Sequence, residues 1–275
     1  MLQGHGDDAY RYTRKIIADF STNVWYGGEP LGLKEHIFDQ WSTINRYPEV
    51  MAESLSALVA SHHHLNHDQV LISSGTTESI YLIAQAFAGK KTTIVTPAFA
   101  EYEDACVSFN HELTFLPWAT IRELPALSTD LIFICNPNNP TGKVFPELEN
   151  WIRQNPGTLF VVDEAFVDFT VQIDSFIPLI NLYPNLIIMH SLTKAYAIPG
   201  LRLGYVAAAP VLLSKLKSIK QPWTVNTMAL QAGKFIFENY QQIQIPLQSL
   251  LAEKERFAET LSQNPALKIH KSATH

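Results

Sequence analysis

Two residues eight positions apart have the groups to form and hold a covalent adduct: Lys194, in Ser191-Leu192-Thr193-Lys194, and Arg202, in Pro199-Gly200-Leu201-Arg202-Leu203-Gly204. A lysine amine condenses with an aldehyde to a Schiff base, most readily where apolar or cationic surroundings lower its pKa. Ser191, Thr193 and Arg202 carry the donors to hold a phosphate beside such a lysine. A lone lysine on a loop is ordinarily a solvated surface residue, so the reading depends on what else the chain contains.

Three further segments bear on it. Ser73-Ser74-Gly75-Thr76-Thr77-Glu78-Ser79 follows the apolar Val70-Leu71-Ile72 and precedes Ile80-Tyr81-Leu82-Ile83-Ala84, the pattern of a turn feeding a helix. Free N–H groups at a helix start, with Gly75 permitting close approach, make a phosphate cradle. The same residues read equally as a plain helix cap with Glu78 in the first turn. Asn136-Pro137-Asn138-Asn139-Pro140-Thr141-Gly142 comes directly after an apolar run ending at Cys135, and its two X-Pro bonds stiffen it enough to hold an asparagine amide in place. Asp163, in Asp163-Glu164-Ala165-Phe166, ends the run Leu159 to Val162. A carboxylate at a buried strand end needs a cation or a helix to cap. A protonated ring nitrogen of a ligand would serve, and so would an arginine elsewhere in the chain.

The elements that must position these groups are short apolar runs: Thr93 to Val95, Leu131 to Cys135, Leu159 to Val162, Leu186 to Met189 and Gly204 to Ala207. Continuous rather than alternating apolar character predicts strands covered on both faces, hence an α/β fold with a mostly parallel central sheet sandwiched by helices. Ligands of such sheets bind beyond the carboxyl ends of the strands, where each suggestive group above falls. From about Asn226 onward the pattern is helical, and Ile245, Leu247, Leu250, Leu251, Phe257 and Leu261 predict a core-facing stripe. After Pro265, Leu267-Lys268-Ile269-His270 predicts a further strand, the start of an incomplete small domain.

Bulk properties narrow the partners. A chain of 275 residues, 47% hydrophobic, is long enough to bury a large core. A net charge of −6 without a basic, aromatic-interleaved cluster excludes nucleic acid as an expected partner. No run approaches the roughly 18 apolar residues of a membrane span, and the polar start lacks the pattern of a signal peptide. Cytoplasmic location without membrane association is therefore expected. Cys106 and Cys135 read as buried free thiols. His62-His63-His64 with His67 reads as an exposed helix end, since acidic or cysteine ligands for a metal are missing nearby.

Together, Gly75-Thr76-Thr77-Glu78-Ser79, Asn136-Pro137-Asn138-Asn139-Pro140-Thr141-Gly142, Asp163-Glu164-Ala165-Phe166, Ser191-Leu192-Thr193-Lys194 and Gly200-Leu201-Arg202-Leu203-Gly204 resemble the motifs of the fold-type I pyridoxal-phosphate enzymes of the class I/II aminotransferase family. The resemblance covers nearly the whole chain. It implies an amino-terminal arm (1–28), a large domain that binds pyridoxal 5'-phosphate (29–235), and a linking helix with the start of an incomplete small domain (236–275). It also implies roles: Lys194 for the Schiff base and proton transfer, Asp163 against the pyridinium, and Asn139 on the ring hydroxyl. Thr76, Thr77, Ser191 and Arg202 would hold the phosphate, and Tyr102 would stack on the ring. Tyr47, in Arg46-Tyr47-Pro48, would reach the phosphate of a neighbouring subunit, so a homodimer is implied.

Within that family the chain resembles most the branch that decarboxylates L-threonine O-3-phosphate to (R)-1-amino-2-propanol O-2-phosphate in cobalamin biosynthesis. The matches are His5-Gly6, Phe99-Ala100-Glu101-Tyr102, Asp163-Glu164-Ala165-Phe166 and Gln221-Pro222-Trp223-Thr224-Val225-Asn226. Aminotransferases acting on histidinol phosphate are the alternative, and these usually carry tyrosine at the position of Phe166. His5 and Asn23 are the expected contacts of a small phosphorylated amino-acid substrate, and no metal is expected. The arginine that clamps the substrate carboxylate lies, in this resemblance, beyond residue 275.

Overall fold

The computed structural model of the chain describes residues 9–123 and 126–274. Its strands are β1 (Val70–Ser73), β2 (Lys91–Thr96), β3 (Glu112–Pro117), β4 (Leu131–Cys135), β5 (Leu159–Asp163), β6 (Leu186–Ser191) and β7 (Gly204–Ala208). They form one seven-stranded sheet in the order β1-β7-β6-β5-β4-β2-β3. Strands β6, β5, β4, β2 and β3 run parallel, whereas β7 is antiparallel to both β6 and β1. The helices are α1 (Leu33–Asp39), α2 (Glu53–His62), α3 (Gly75–Ala86), α4 (Glu101–Ser108), α5 (Leu148–Gln154), α6 (Leu192–Ala195), α7 (Pro210–Lys217), α8 (Thr227–Glu238) and α9 (Leu247–Ser262).

The apolar runs are continuous because alternate residues of each strand feed two separate cores. Ile132, Ile134, Phe160, Val162, Leu186 and Ile188 pack on one face of the sheet with Trp151 of α5, Val59 of α2 and Leu230 of α8. Phe133, Val161, Ile187 and Met189 pack on the other with Ile83 of α3, Ala105 of α4 and Leu216 of α7. Full burial of each large aliphatic or aromatic side chain contributes roughly 1.5–3 kcal/mol. The rigid sheet thereby fixes the strand ends from which the site is built.

Three expectations are corrected, and one strand lies outside the expected runs. Strand β3 lacks an apolar run, since its residues are half-buried or exposed at the sheet edge; pairing with β2 makes it a strand. Residues 267–270 form no strand, Leu267 N–H donating instead to the Asn264 carbonyl at 3.0 Å; beyond them Ala273 N–H donates to the Gly142 carbonyl at 2.8 Å. In α9 only Leu250 is buried, and Phe257 is 60% exposed, so the stripe is not core-facing along its length. Of the histidines expected to be exposed, His64 and His67 are, but His62 and His63 are half-buried: the His62 ring lies 4.0 Å from that of Tyr240, and His63 Nε2 is 2.7 Å from the Tyr205 hydroxyl. Both cysteines are buried and free. Among the described residues no helix is long and apolar enough to cross a membrane.

Candidate active site

The parallel strands β4, β5 and β6 finish together: Cys135 is in register with Asp163, and Asp163 with Met189. Every chain segment leaving this edge carries a predicted residue. After β4 the loop is clamped by a reciprocal pair, Asn136 Nδ2 donating to the Phe145 carbonyl at 3.0 Å and Phe145 N–H to Asn136 Oδ1 at 2.9 Å. Asn138 ties the loop to the end of β2 by donating to the Pro97 carbonyl at 2.9 Å. Asn139, half-buried between these anchors, accepts from Asn23 Nδ2 at 3.3 Å.

Asp163 is 4% exposed. Its Oδ1 accepts from Ala165 N–H at 2.9 Å and its Oδ2 from the Tyr102 hydroxyl at 2.7 Å. Burial pushes its pKa up, and the two donors together with the charges of His190 and Lys194 only partly counter this. The site thus holds a carboxylate whose ionised form would be completed by one more cation.

Lys194 sits in the short helix α6, which Ser191 opens: Ser191 Oγ accepts from Thr193 N–H at 3.4 Å and lies 2.9 Å from Thr193 Oγ1. The Lys194 carbonyl accepts from Trp25 N–H at 3.0 Å, so the amino-terminal segment that brings Asn23 to Asn139 also crosses the lysine. A cavity of about 900 Å³, lined by Trp25, Ala195, Tyr196 and Phe235 among others, lies beside α6, but Lys194, Asp163 and Asn139 do not line it.

The anion cradle is assembled by register. Gly204 pairs with Ser73 on one side and Ser191 on the other, which sets the start of α3 against the start of α6. A Cβ on Gly204 would stand 2.9 Å from the His190 carbonyl and 3.2 Å from Thr76 N, so only glycine admits this approach. Gly75 has φ +77°, and a Cβ there would stand 2.5 Å from Arg202 Nη2. Arg202 itself adopts φ 59° and donates from Nη1 to the Pro199 carbonyl at 3.3 Å. The guanidinium therefore lies against Gly75 at the α3 amino terminus. Cation and free N–H groups face one volume, the arrangement that holds a phosphate. Together with the buried Asp163 carboxylate, this donor set fits pyridoxal phosphate at both ends of the cofactor.

One expected residue falls elsewhere. Tyr102 is 1% exposed, its ring stacked on Phe133 at 5.2 Å and its hydroxyl committed to Asp163, so it has no free face for a ligand ring. The half-buried Phe99, on the loop held by Asn138 and edge-on to Tyr102 at 6.1 Å, is the second aromatic there. The sequence signal was present, two aromatics three apart, but only the α4 geometry distinguishes them. Tyr47 is 82% exposed against Trp223, with ring centroids 5.1 Å apart, and does not line the cavity beside its own cradle. His5 lies outside the described residues.

Comparisons with known proteins agree with this geometry. Residues 16–272 match the model of the aminotransferase class I and II family. The chain is 35% identical to a threonine-phosphate decarboxylase of Salmonella typhimurium, over 92% of this chain and 74% of that protein. It is 31% identical to a histidinol-phosphate aminotransferase of Chlorobaculum tepidum, over 90% of this chain and 74% of the other. Among solved structures it resembles an L-threonine-O-3-phosphate decarboxylase from Porphyromonas gingivalis, with a TM-score of 0.90 and 34% identity across 93% of this chain and 79% of that one. The chain belongs to the class I and II aminotransferase family, whose members depend on pyridoxal phosphate.

Proposed function

We propose that this protein is a pyridoxal-phosphate-dependent decarboxylase of L-threonine O-3-phosphate, releasing carbon dioxide and (R)-1-amino-2-propanol O-2-phosphate. The observation that carries the cofactor reading is the convergence of Lys194, Asp163, Asn139 and the Arg202-capped cradle on one edge of the sheet. The decarboxylase reading is supported by the resemblance to threonine-phosphate decarboxylases at 34–35% identity. It is supported also by Phe166, which is 7% exposed, packs 6.2 Å from Phe169 and offers no hydroxyl.

Pyridoxal phosphate, when bound, supplies a protonated heterocycle that accepts the electron pair left as a bond at the amino-acid Cα breaks. The chain's own groups then divide the work. Lys194 would hold the cofactor through its amine and would carry a proton to or from the substrate carbon. Asp163, oriented by Tyr102 and Ala165, keeps the ring nitrogen protonated. Thr76, Thr77, Ser191 and Arg202 would hold the phosphate, Asn139 the ring hydroxyl, and Phe99 would cover a ring face in place of Tyr102. Asn23, 3.3 Å from Asn139, would line the substrate side, and His5 is assigned the substrate phosphate from the sequence alone. The exposed Tyr47 reaches the cradle of a second copy in a homodimer.

The test is product identification. The protein loaded with pyridoxal phosphate is offered O-phosphothreonine and, separately, histidinol phosphate with an oxo-acid acceptor. Carbon dioxide and aminopropanol phosphate from the first are expected. Amino transfer from histidinol phosphate without release of carbon dioxide from O-phosphothreonine makes the chain an aminotransferase instead.

A further inference from the structure

Lys220 is the buried lysine that the site above does not use. It follows α7 with its side chain 1% exposed, and its Nζ lies 2.5 Å from Glu78 Oε1 and in hydrogen-bond contact with Thr224 Oγ1. Glu78 in turn uses its other oxygen to accept from Ser74 N–H at 2.5 Å, which locks the turn between β1 and α3. One carboxylate thus shapes the cradle, and one ammonium holds that carboxylate. The segment from Gln221 to Asn226, singled out by its sequence but given no role so far, is the loop this ammonium anchors: Gln221 and Thr224 line a cavity of about 630 Å³ together with Ser74, Thr77, Glu78 and Arg202.

The charges conflict without the lysine. Glu78 stands in the first turn of α3, one residue from Thr77, at the end where a phosphate dianion binds. A carboxylate there favours the helix by itself but repels a second anion, and in a half-buried setting such repulsion is weakly screened. A glutamine would cap the turn without repulsion, yet the chain uses glutamate and supplies a buried cation against it.

We infer that Lys220 is a positioning residue of the anion cradle: by neutralising Glu78 it leaves the turn capped and the α3 amino terminus net attractive to phosphate. This rests on the cradle reading above. It differs from a packing role, because a packing lysine supports everything in the site equally, whereas a charge-neutralising lysine acts on the phosphate alone.

The experiment measures dissociation constants of the purified chain for pyridoxal 5'-phosphate and for pyridoxal, each followed by the visible absorbance of the adduct at Lys194. The ratio of the two constants is the phosphate advantage. For Lys220→Met the advantage is expected to fall by about tenfold or more, since the unscreened repulsion of a close like-charge pair in a protein setting exceeds that scale, while pyridoxal binds as in the parent. The double variant Glu78→Gln/Lys220→Met, uncharged at both positions but still able to accept from Ser74 N–H, is expected to regain the advantage. Equal weakening of both ligands by Lys220→Met, or no recovery in the double variant, overturns the inference. A parent protein that binds both ligands equally overturns the cradle itself, a result distinct from the first. Should Lys220→Met fail to fold, Glu78→Gln alone decides: it is expected to raise the advantage above the parent value, and an unchanged or lower one overturns the role.

Discussion

The Tyr102 hydroxyl donates to Asp163 Oδ2 at 2.7 Å, deep beneath the edge where β4, β5 and β6 end. Both partners are buried, so the bond is strong and its loss is not repaired by water. It also sets the protonation of the carboxylate, because burial raises the Asp163 pKa and Tyr102 is first among the groups that lower it. Tyr102→Phe is therefore expected to move the acid limb of cofactor binding to higher pH, since Asp163 then protonates more easily and only its ionised form pairs with a ring cation. The same change should cost roughly 1.5–3 kcal/mol of stability. A pH titration of cofactor affinity checks the first effect and urea unfolding the second; an unshifted limb would show that the hydroxyl does not tune the acid.

Lys194→Ala should abolish covalent attachment of pyridoxal phosphate while the cradle still binds the phosphate group non-covalently. Borohydride reduction followed by mass spectrometry reads this directly. The parent is expected to gain one cofactor mass on the peptide containing residue 194 and the variant none. An adduct persisting on another lysine would move the reactive amine away from α6.

Gly75→Ala tests the cradle's geometry. A non-glycine residue at φ +77° is strained by about 1–3 kcal/mol. In addition its Cβ would press on Arg202 Nη2 at 2.5 Å and displace the guanidinium from the helix end. Affinity for pyridoxal phosphate is expected to fall by tenfold or more, a loss of about 1.4 kcal/mol per factor of ten, with the remainder of the sheet intact by circular dichroism. Retained affinity would mean that Arg202 does not bind the phosphate from this position.

Which parts of this site were legible in the sequence follows from where each residue's role is decided. Lys194, Asp163 and Asn139 could be read because each lies within five residues of the end of an apolar run, and parallel strands in one sheet must end on the same edge. Gly75 and Arg202 were legible for the same reason, as punctuation around a strand end. Tyr102 and Phe99 were not separable, since the difference depends on which turn of α4 faces the sheet, and the sequence offers an aromatic at both places. Strand β3 was invisible because its pattern is that of a wet edge, and its pairing to β2 is a tertiary fact. Lys220 gave no local signal at all: its partner, Glu78, is 142 residues away.

His63 was expected to be a solvated histidine, and its actual position gives a pH dependence with a definite sign. Burial, reinforced by the neighbouring His190 and His62, lowers its pKa from 6.5 to about 3, with Asp168 opposing. Its neutral ring meets the Tyr205 hydroxyl at 2.7 Å. A histidine whose folded pKa is depressed keeps its stabilising effect above the unfolded value and loses it as pH falls, because the unfolded chain then binds a proton that the folded chain refuses. Stability should decline from about pH 6.5 downward, by up to about 1.4 kcal/mol per pH unit from this group. His63→Gln retains an acceptor for Tyr205 and cannot titrate, so the stability difference between parent and variant is expected to shift by about 1.6 kcal/mol between pH 6.5 and pH 5. Urea unfolding of both proteins at those two pH values measures it. A difference that does not change with pH would mean that His63 takes up its proton as readily in the folded protein as in the unfolded chain.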